Sequence, residues 1–230
     1  MSAGNAVEDA EPTRILAIRH GETAWNVDTR IQGQLDIPLN ETGLWQARRL
    51  AFAVADESVD AIYASDLLRA HETAQAIARV VHRPVTSEPG LRERGFGTFE
   101  GYTFKEIETL WPEQSLRWRK RELDFSPGGG ESIPVFYERC VSTAKRLAAA
   151  HPGQTICLVA HGGVLDCLYR AAAHIDLRAP RTWQLGNASI NRLLYTAGGF
   201  SLIGWSDSLH LDGAVLDEAA DGAAPAGRPS

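Results

Sequence analysis

Only three of the 230 residues are cysteine, and Cys140, Cys157 and Cys167 show no CxxC spacing. Neither a zinc knuckle nor a paired disulfide framework is suggested, so the three are expected to be buried as small hydrophobes. Long apolar runs are also missing. No stretch approaches the roughly 18 apolar residues of a membrane helix, and MSAGNAVEDAEPTR has no apolar leader core. The expectation is a cytoplasmic protein without a membrane partner. Lysine is scarce, with only Lys105, Lys120 and Lys145 among 23 basic residues. The arginines that replace it suit forked recognition of phosphate or carboxylate, although GC-rich coding produces the same bias. Net basic charge is absent too. The formal charge is −6, with Glu8, Asp9 and Glu11 near the start and Asp212, Asp217, Glu218 and Asp221 against Arg228 at the end, which leaves residues 14–211 neutral. A neutral body exerts no long-range pull on nucleic acid or anionic membrane, and neither is expected as a partner.

What is present fits one globular domain. Hydrophobic residues make up 44% and charged residues 23% of the chain, near the globular average. Short apolar runs alternate with longer runs of helical period, the pattern of strands joined by crossover helices. The predicted fold is α/β, a three-layer α/β/α sandwich with a mostly parallel sheet. A helical lid insertion is expected over about 98–130, where aromatics, Pro112, Pro127 and the glycines 128–130 interrupt the pattern. The domain is placed at 14–211, between disordered tails at 1–13 and 212–230. Ile15 to Arg19, AIYAS at 61–65 and TICLVA at 155–160 read as strands. Asn40 caps a helix with Leu44, Ala47, Ala51 and Val54 inward, and Ser65 or Asp66 caps a second with Ala70, Ala74, Ile77 and Val81 inward. A third runs from Ser132 to Ala150 with Phe136, Cys140 and Leu147 inward, and INRLLYT and FSLIGWS form an antiparallel hairpin at the sheet edge.

Two of the strands end in histidine followed by glycine, at His20-Gly21 and His161-Gly162. In an open parallel sheet the carboxyl ends of the strands are where ligands bind. His161 would also open the next helix, where free N–H groups and the dipole attract anions. Arg19, directly before His20, disfavours a divalent cation, so no metal is predicted. Arg19, Arg69, His161 and Asn26 instead form a candidate set of donors around a phosphoryl group, with His20 as the in-line nucleophile. Leu91 to Glu93 reads as a further strand end that presents Glu93 as proton donor to the departing alkoxide; a surface ion pair with Arg92 or Arg94 is the alternative for that carboxylate. Arg117, Arg119, Lys120 and Arg121 either form a solvated face over Trp111 and Trp118 or bind a second anionic group. One arginine reaching inward would favour small phosphorylated acids as ligands.

With RHGET at 19–23, Arg69-Ala70-x-x-Thr73, Leu91-x-Glu93 followed by Gly97-Thr98-Phe99-Glu100-Gly101, and His161-Gly162-Gly163, the sequence resembles the histidine phosphatase superfamily, the phosphoglycerate mutase-like proteins, over about residues 14–206. The resemblance implies a phosphohistidine intermediate on His20, a phosphate pocket of Arg19, Arg69 and His161, and Glu93 as acid and then as base for water. It matches Asn26 and Gln32-Gly33 to the family's first loop, and by the same motifs places Gly21, Thr23, Gln32 and Gly162 with Arg19, Asn26 and Arg69 as substrate-binding positions. No cofactor or metal is implied. The segment from Phe99 to Ser132 looks like the shorter one of broad-specificity phosphatases. The expected function is therefore a metal-independent phosphomonoesterase acting on small phosphorylated metabolites, with a cofactor-dependent phosphoglycerate mutase as the alternative. A homodimer is left open.

Overall fold

A computed structural model of the chain describes residues 11–212, so the tails expected at 1–13 and 212–230 lie outside the described residues except for 11–13 and 212. Strand β1 (Thr13–Arg19) starts earlier than expected. Thr13 is buried and its hydroxyl donates to the carbonyls of Ala148 and His151, at 2.8 and 2.9 Å, which draws the chain into the sheet before Ile15.

Among the described residues the sheet has six strands, with β2 (Ala61–Ala64), β3 (Val85–Ser87), β4 (Thr155–Ala160), β5 (Ile190–Thr196) and β6 (Gly199–Asp207) beside β1, in the order β3-β2-β4-β1-β5-β6. The first four strands of that order are parallel, while β5 and β6 run antiparallel as an edge hairpin. Both faces are covered. Leu16 and Ile18 of β1, with Cys157 and Val159 of β4, pack on α2 (Glu41–Ala53) and α3 (Leu68–Val81). The alternate residues Ile15, Ala17, Ile156, Leu158 and Ala160 pack on α6 (Ile133–Ala149) and α7 (Gly162–Ala173). This is the period-two alternation of strands buried on both sides, and it makes the three α/β/α layers. All three cysteines are buried and free.

Two details of the helices differ from expectation. Leu44 is 43% exposed and Gly43 faces inward in its place. The reason is a close backbone crossing: a Cβ on Gly43 would lie 2.0 Å from the Glu22 carbonyl, so α2 rotates its glycine toward the loop after β1. Neither Ser65 nor Asp66 caps α3, whose N-cap is Leu67 without a side-chain bond. Asp66 is instead paired with Arg92, Nε to Oδ1 at 2.7 Å, and Ser65 serves the site described below.

The 98–130 segment holds two short helices, α4 (Phe104–Leu110) and α5 (Pro112–Arg119), and α1 (Ala24–Val27) lies in the loop after β1. It has a core of its own, Ile31, Phe99, Ile107 and Phe125, with Phe96, Trp111 and Trp118 against it. No helix among the described residues is long and apolar enough to cross a membrane.

Candidate active site

The parallel register of β1 with β4 pairs Arg19 with Ala160, so the next residue of each strand, His20 and His161, emerges at the same edge. The His20 N–H donates to the Ala160 carbonyl at 3.0 Å, and the two ring centroids are 5.2 Å apart. Because β4 inserts between β2 and β1, this edge is the switch point at which chain connections leave in opposite directions.

Each imidazole is oriented by one bond. His20 Nδ1 lies 2.7 Å from the Gly21 carbonyl, which can only accept, so Nδ1 carries the proton and Nε2 keeps its lone pair. His161 Nε2 lies 2.8 Å from Ser65 Oγ, and its Nδ1 has no hydrogen-bond partner among the described residues. Burial, and after it the charge of Arg69, holds both rings well below the ordinary histidine range, with Arg19 adding to the effect.

This has a consequence for stability. The folded protein keeps both rings neutral, whereas the unfolded chain takes up their protons as pH falls through 6.5. The unfolded state therefore binds more protons below that point, and stability declines on acidification by up to about 1.4 kcal/mol per pH unit for each ring, until the depressed folded values are reached. Urea midpoints should fall between pH 7 and pH 5.5, and His161→Gln should show the shallower dependence. An unchanged slope in that variant would refute the buried neutral ring.

A cavity of about 250 Å³ opens beside His20, lined among others by Arg19, Asn26, Gln32, Arg69, Glu93, Gly162 and Arg181. Arg69 spends its terminal nitrogens on the carbonyls of Leu35 and Gly33, both at 2.8 Å, and Arg19 binds the Leu185 carbonyl. The Nε atoms of both are buried and unpartnered among the described residues, as is Gln32 Oε1. Burial lowers Arg69 to about 10, so it remains a cation at neutral pH. The Asn26 carboxamide oxygen accepts from the Thr23 N–H, the Thr23 hydroxyl and Asn187 Nδ2, at 3.0, 3.1 and 3.3 Å. That leaves its amide N–H groups as the polar atoms available to the cavity.

Not every expected site residue lines this space. His161 is fully buried beside His20. Thr23 is also fully buried, as N-cap of α1, and Gly21 donates its N–H to Thr73 Oγ1 at 3.1 Å. A Cβ on Gly21 would meet the Gly43 carbonyl at 2.5 Å, so its place here is steric.

Glu93 does not end a strand. β3 stops at Ser87, and a 3₁₀ turn at Pro89–Leu91 precedes an extended stretch. Arg139 of α6 holds that stretch: its guanidinium donates to the carbonyls of Gly90, Arg92 and Glu93 at 3.0, 2.9 and 3.2 Å, and it forks onto Glu131. Glu131 in turn accepts from the Gly95 N–H at 2.8 Å. Arg92 is engaged by Asp66 and Arg94 by the Glu131 carbonyl, so Glu93 forms no ion pair with either neighbour. Its Oε1 accepts from the Arg94 N–H at 2.8 Å and its Oε2 from the Gly163 N–H at 2.9 Å. A Cβ on Gly163 would lie 2.1 Å from Glu93 Oε1. Gly163→Ala should therefore displace the carboxylate and cut turnover of alkyl phosphates about tenfold or more, with little change in the melting temperature. Wild-type rates in that variant would show the carboxyl has no fixed place.

Arg139, Asn187, Ser65 and Arg181 are the residues that pattern reading missed. Among the described residues no cluster of three His, Cys, Asp or Glu side chains is placed to hold a metal ion.

A parallel switch point with two neutral imidazoles, two buried guanidinium groups and a fixed carboxyl is the architecture of a phosphoryl-transfer enzyme. The family model of the histidine phosphatase superfamily (branch 1) matches residues 15–208. The chain is 37% identical over 206 residues to a metal-independent phosphoserine phosphatase of Arabidopsis thaliana, covering 88% of this chain and 85% of that one. It is also 37% identical over 214 residues to the probable phosphoglycerate mutase GpmB of Photorhabdus laumondii, covering 89% and 98%. The solved mycobacterial glucosyl-3-phosphoglycerate phosphatase is similar at 31% identity with a TM-score of 0.77, covering 86% and 100%. This chain belongs to the histidine phosphatase superfamily, and its relatives include both phosphatases and mutases.

Proposed function

We propose that the chain is a metal-independent phosphomonoesterase that hydrolyses small phosphorylated metabolites through phosphohistidine. One observation carries the reading: Arg19 and Arg69 line one cavity with His20, whose free nitrogen is Nε2 and whose ring neighbours that of His161, and Arg19 Nε, Arg69 Nε and His161 Nδ1 are buried and unpartnered among the described residues. Unsatisfied buried polar atoms each cost about 1–3 kcal/mol, and a tetrahedral oxyanion would satisfy all three.

In the first step the Nε2 lone pair forms the N–P bond in line as the P–O bond to the alcohol breaks, and Glu93 gives its proton to the departing oxygen. Arg19, Arg69, His161 and Asn26 bear the charge on the equatorial oxygens. In the second, Glu93 takes a proton from water, the water oxygen bonds to phosphorus, and the N–P electrons return to His20. Ester and water become alcohol and inorganic phosphate.

Hydrolysis is favoured over mutase chemistry because a mutase must hold a bisphosphate dry under extra cations. Here Arg117 is spent on Glu122 and Asp124, Arg119 on Glu108, and Lys120 is exposed; the two cations that remain beside the site, Arg121 and Arg181, do not keep it dry, since Arg181 is itself open to solvent. The test is incubation with 3-phosphoglycerate and a trace of 2,3-bisphosphoglycerate in EDTA. Free phosphate without isomer is expected. Isomer without phosphate would establish the mutase, and loss of all activity in EDTA would end the metal-independent reading.

A further inference from the structure

A second cavity, about 190 Å³, adjoins the first and shares Glu93, Phe96, Gly163 and Arg181 with it. It lies beside the carboxyl that faces the leaving oxygen, which is where the alcohol half of a substrate must go. Phe96, Trp118, Ile133, Phe136 and Leu177 supply apolar wall, and Arg94, Arg121, Arg170 and Arg181 face Glu93 and Asp166 across it. A space of this size admits a three-carbon unit with its substituents.

The four arginines are not equally available. Arg94 is spent on backbone carbonyls. Arg170 is 1% exposed and fully engaged, with Nε on Asp166 at 2.9 Å and its terminal nitrogens on the carbonyls of Asp176 and Ala179. Arg121 departs from its outward-turned neighbours. At φ +53° it swings its chain inward, gives Nε to the Leu177 carbonyl at 2.9 Å and stands 3.8 Å from Asp166. Arg121 and Arg170 thereby pin the loop 176–179, which delivers Arg181 to the junction of the two cavities. The Arg181 guanidinium has no hydrogen-bond or ion-pair partner among the described residues. Burial, and after it the charge of Arg170, lowers Arg121 below the ordinary arginine value, with Arg181 adding to the effect and Asp166 opposing it.

We propose that this cavity is the leaving-group subsite and that Arg121 and Arg181 select phosphomonoesters whose alcohol half carries a second anionic group, a carboxylate or another phosphate. The inference rests on the phosphatase reading of the first cavity, since it takes that cavity as the seat of the transferred phosphoryl group. A guanidinium fork meets either anion with paired, charge-assisted bonds. A neutral alcohol of the same size leaves the cluster uncompensated.

The experiment compares kcat/KM for 3-phosphoglycerate and glycerol 1,3-bisphosphate, each as a ratio to glycerol 3-phosphate, in the parent and in Arg121→Gln, Arg181→Gln and Arg119→Gln. A loss of folded protein or of phosphoryl binding scales every substrate alike, so the ratio isolates the second anion. At least one ratio should favour the ester with the anionic tail in the parent and fall about tenfold or more in Arg121→Gln and Arg181→Gln. Arg119→Gln, which removes a lid charge facing solvent, should leave it unchanged. The arm that responds identifies carboxylate or phosphate. Ratios near one in the parent, or unaffected by both variants, overturn the proposal. If the parent turns over none of the esters the phosphatase reading fails. Calorimetric titration of the same three ligands then reads the preference without turnover, and equal affinities would overturn the subsite on its own.

Discussion

His20→Ala should lower the turnover of every phosphomonoester by roughly 10⁴-fold or more, because removing a covalent nucleophile leaves only binding and charge stabilisation. Among the described residues no other side chain is placed to take its role. His161 is fully buried, with Nε2 on Ser65. The variant should also form no phosphoenzyme, whereas the parent, quenched in alkali after mixing with substrate, should carry phosphate that is lost on acid treatment, as a phosphoramidate is. Folding should be little affected, since a small residue replaces a neutral ring whose side-chain hydrogen bond is to the adjacent carbonyl. Residual activity near the parent's would remove the imidazole from the chemistry.

Glu93→Gln is the second large effect, and its size depends on the substrate. General acid catalysis contributes about 10²–10⁴-fold where the leaving oxygen is a poor one, as in an alkyl phosphate. For p-nitrophenyl phosphate the phenolate departs with little help, so the first turnover should stay within about tenfold of the parent. The second step still needs a base for water, so the variant should release one equivalent of p-nitrophenolate quickly and then stall as phosphoenzyme. Rapid-quench measurement of that burst, against single-turnover rates on glycerol 3-phosphate, separates proton donation from mere positioning. Equal losses on both substrates in the first turnover would take the proton-donor role from Glu93.

How far the site was legible depends on what held each residue. His20 and His161 end apolar runs that can only be buried strands, so their placement at strand ends follows from local pattern. Their adjacency does not, because it depends on β4 entering between β2 and β1. Arg69 sits on α3 with Ala70, Thr73 and Ala74 buried around it, and helical period carries it inward. Glu93 was legible only through its motif. The strand end expected for it is absent, since a guanidinium from α6 replaces the ladder as the support, and nothing periodic marks Arg139 as different from any helix arginine. The same holds for Arg121. In sequence it is one of four basic residues, and only its left-handed backbone turn separates it from the three that face water. Arg181 and Asn187 lie in the irregular stretch between α7 and β5, where no period exists to read.

The order of the strands also bears on how the enzyme comes into being. His20 is made early in synthesis, at the close of β1, but β1 and β2 are not hydrogen-bonded neighbours, and the place between them is filled only when β4 has left the ribosome. Pairing so distant in the chain is slow to form. Until it does, His20 lacks its companion ring, which Ser65 holds. A truncated or nascent chain ending before β4 therefore carries the histidine without its neighbour, and Arg181 and Asn187 join them only from the stretch that follows α7.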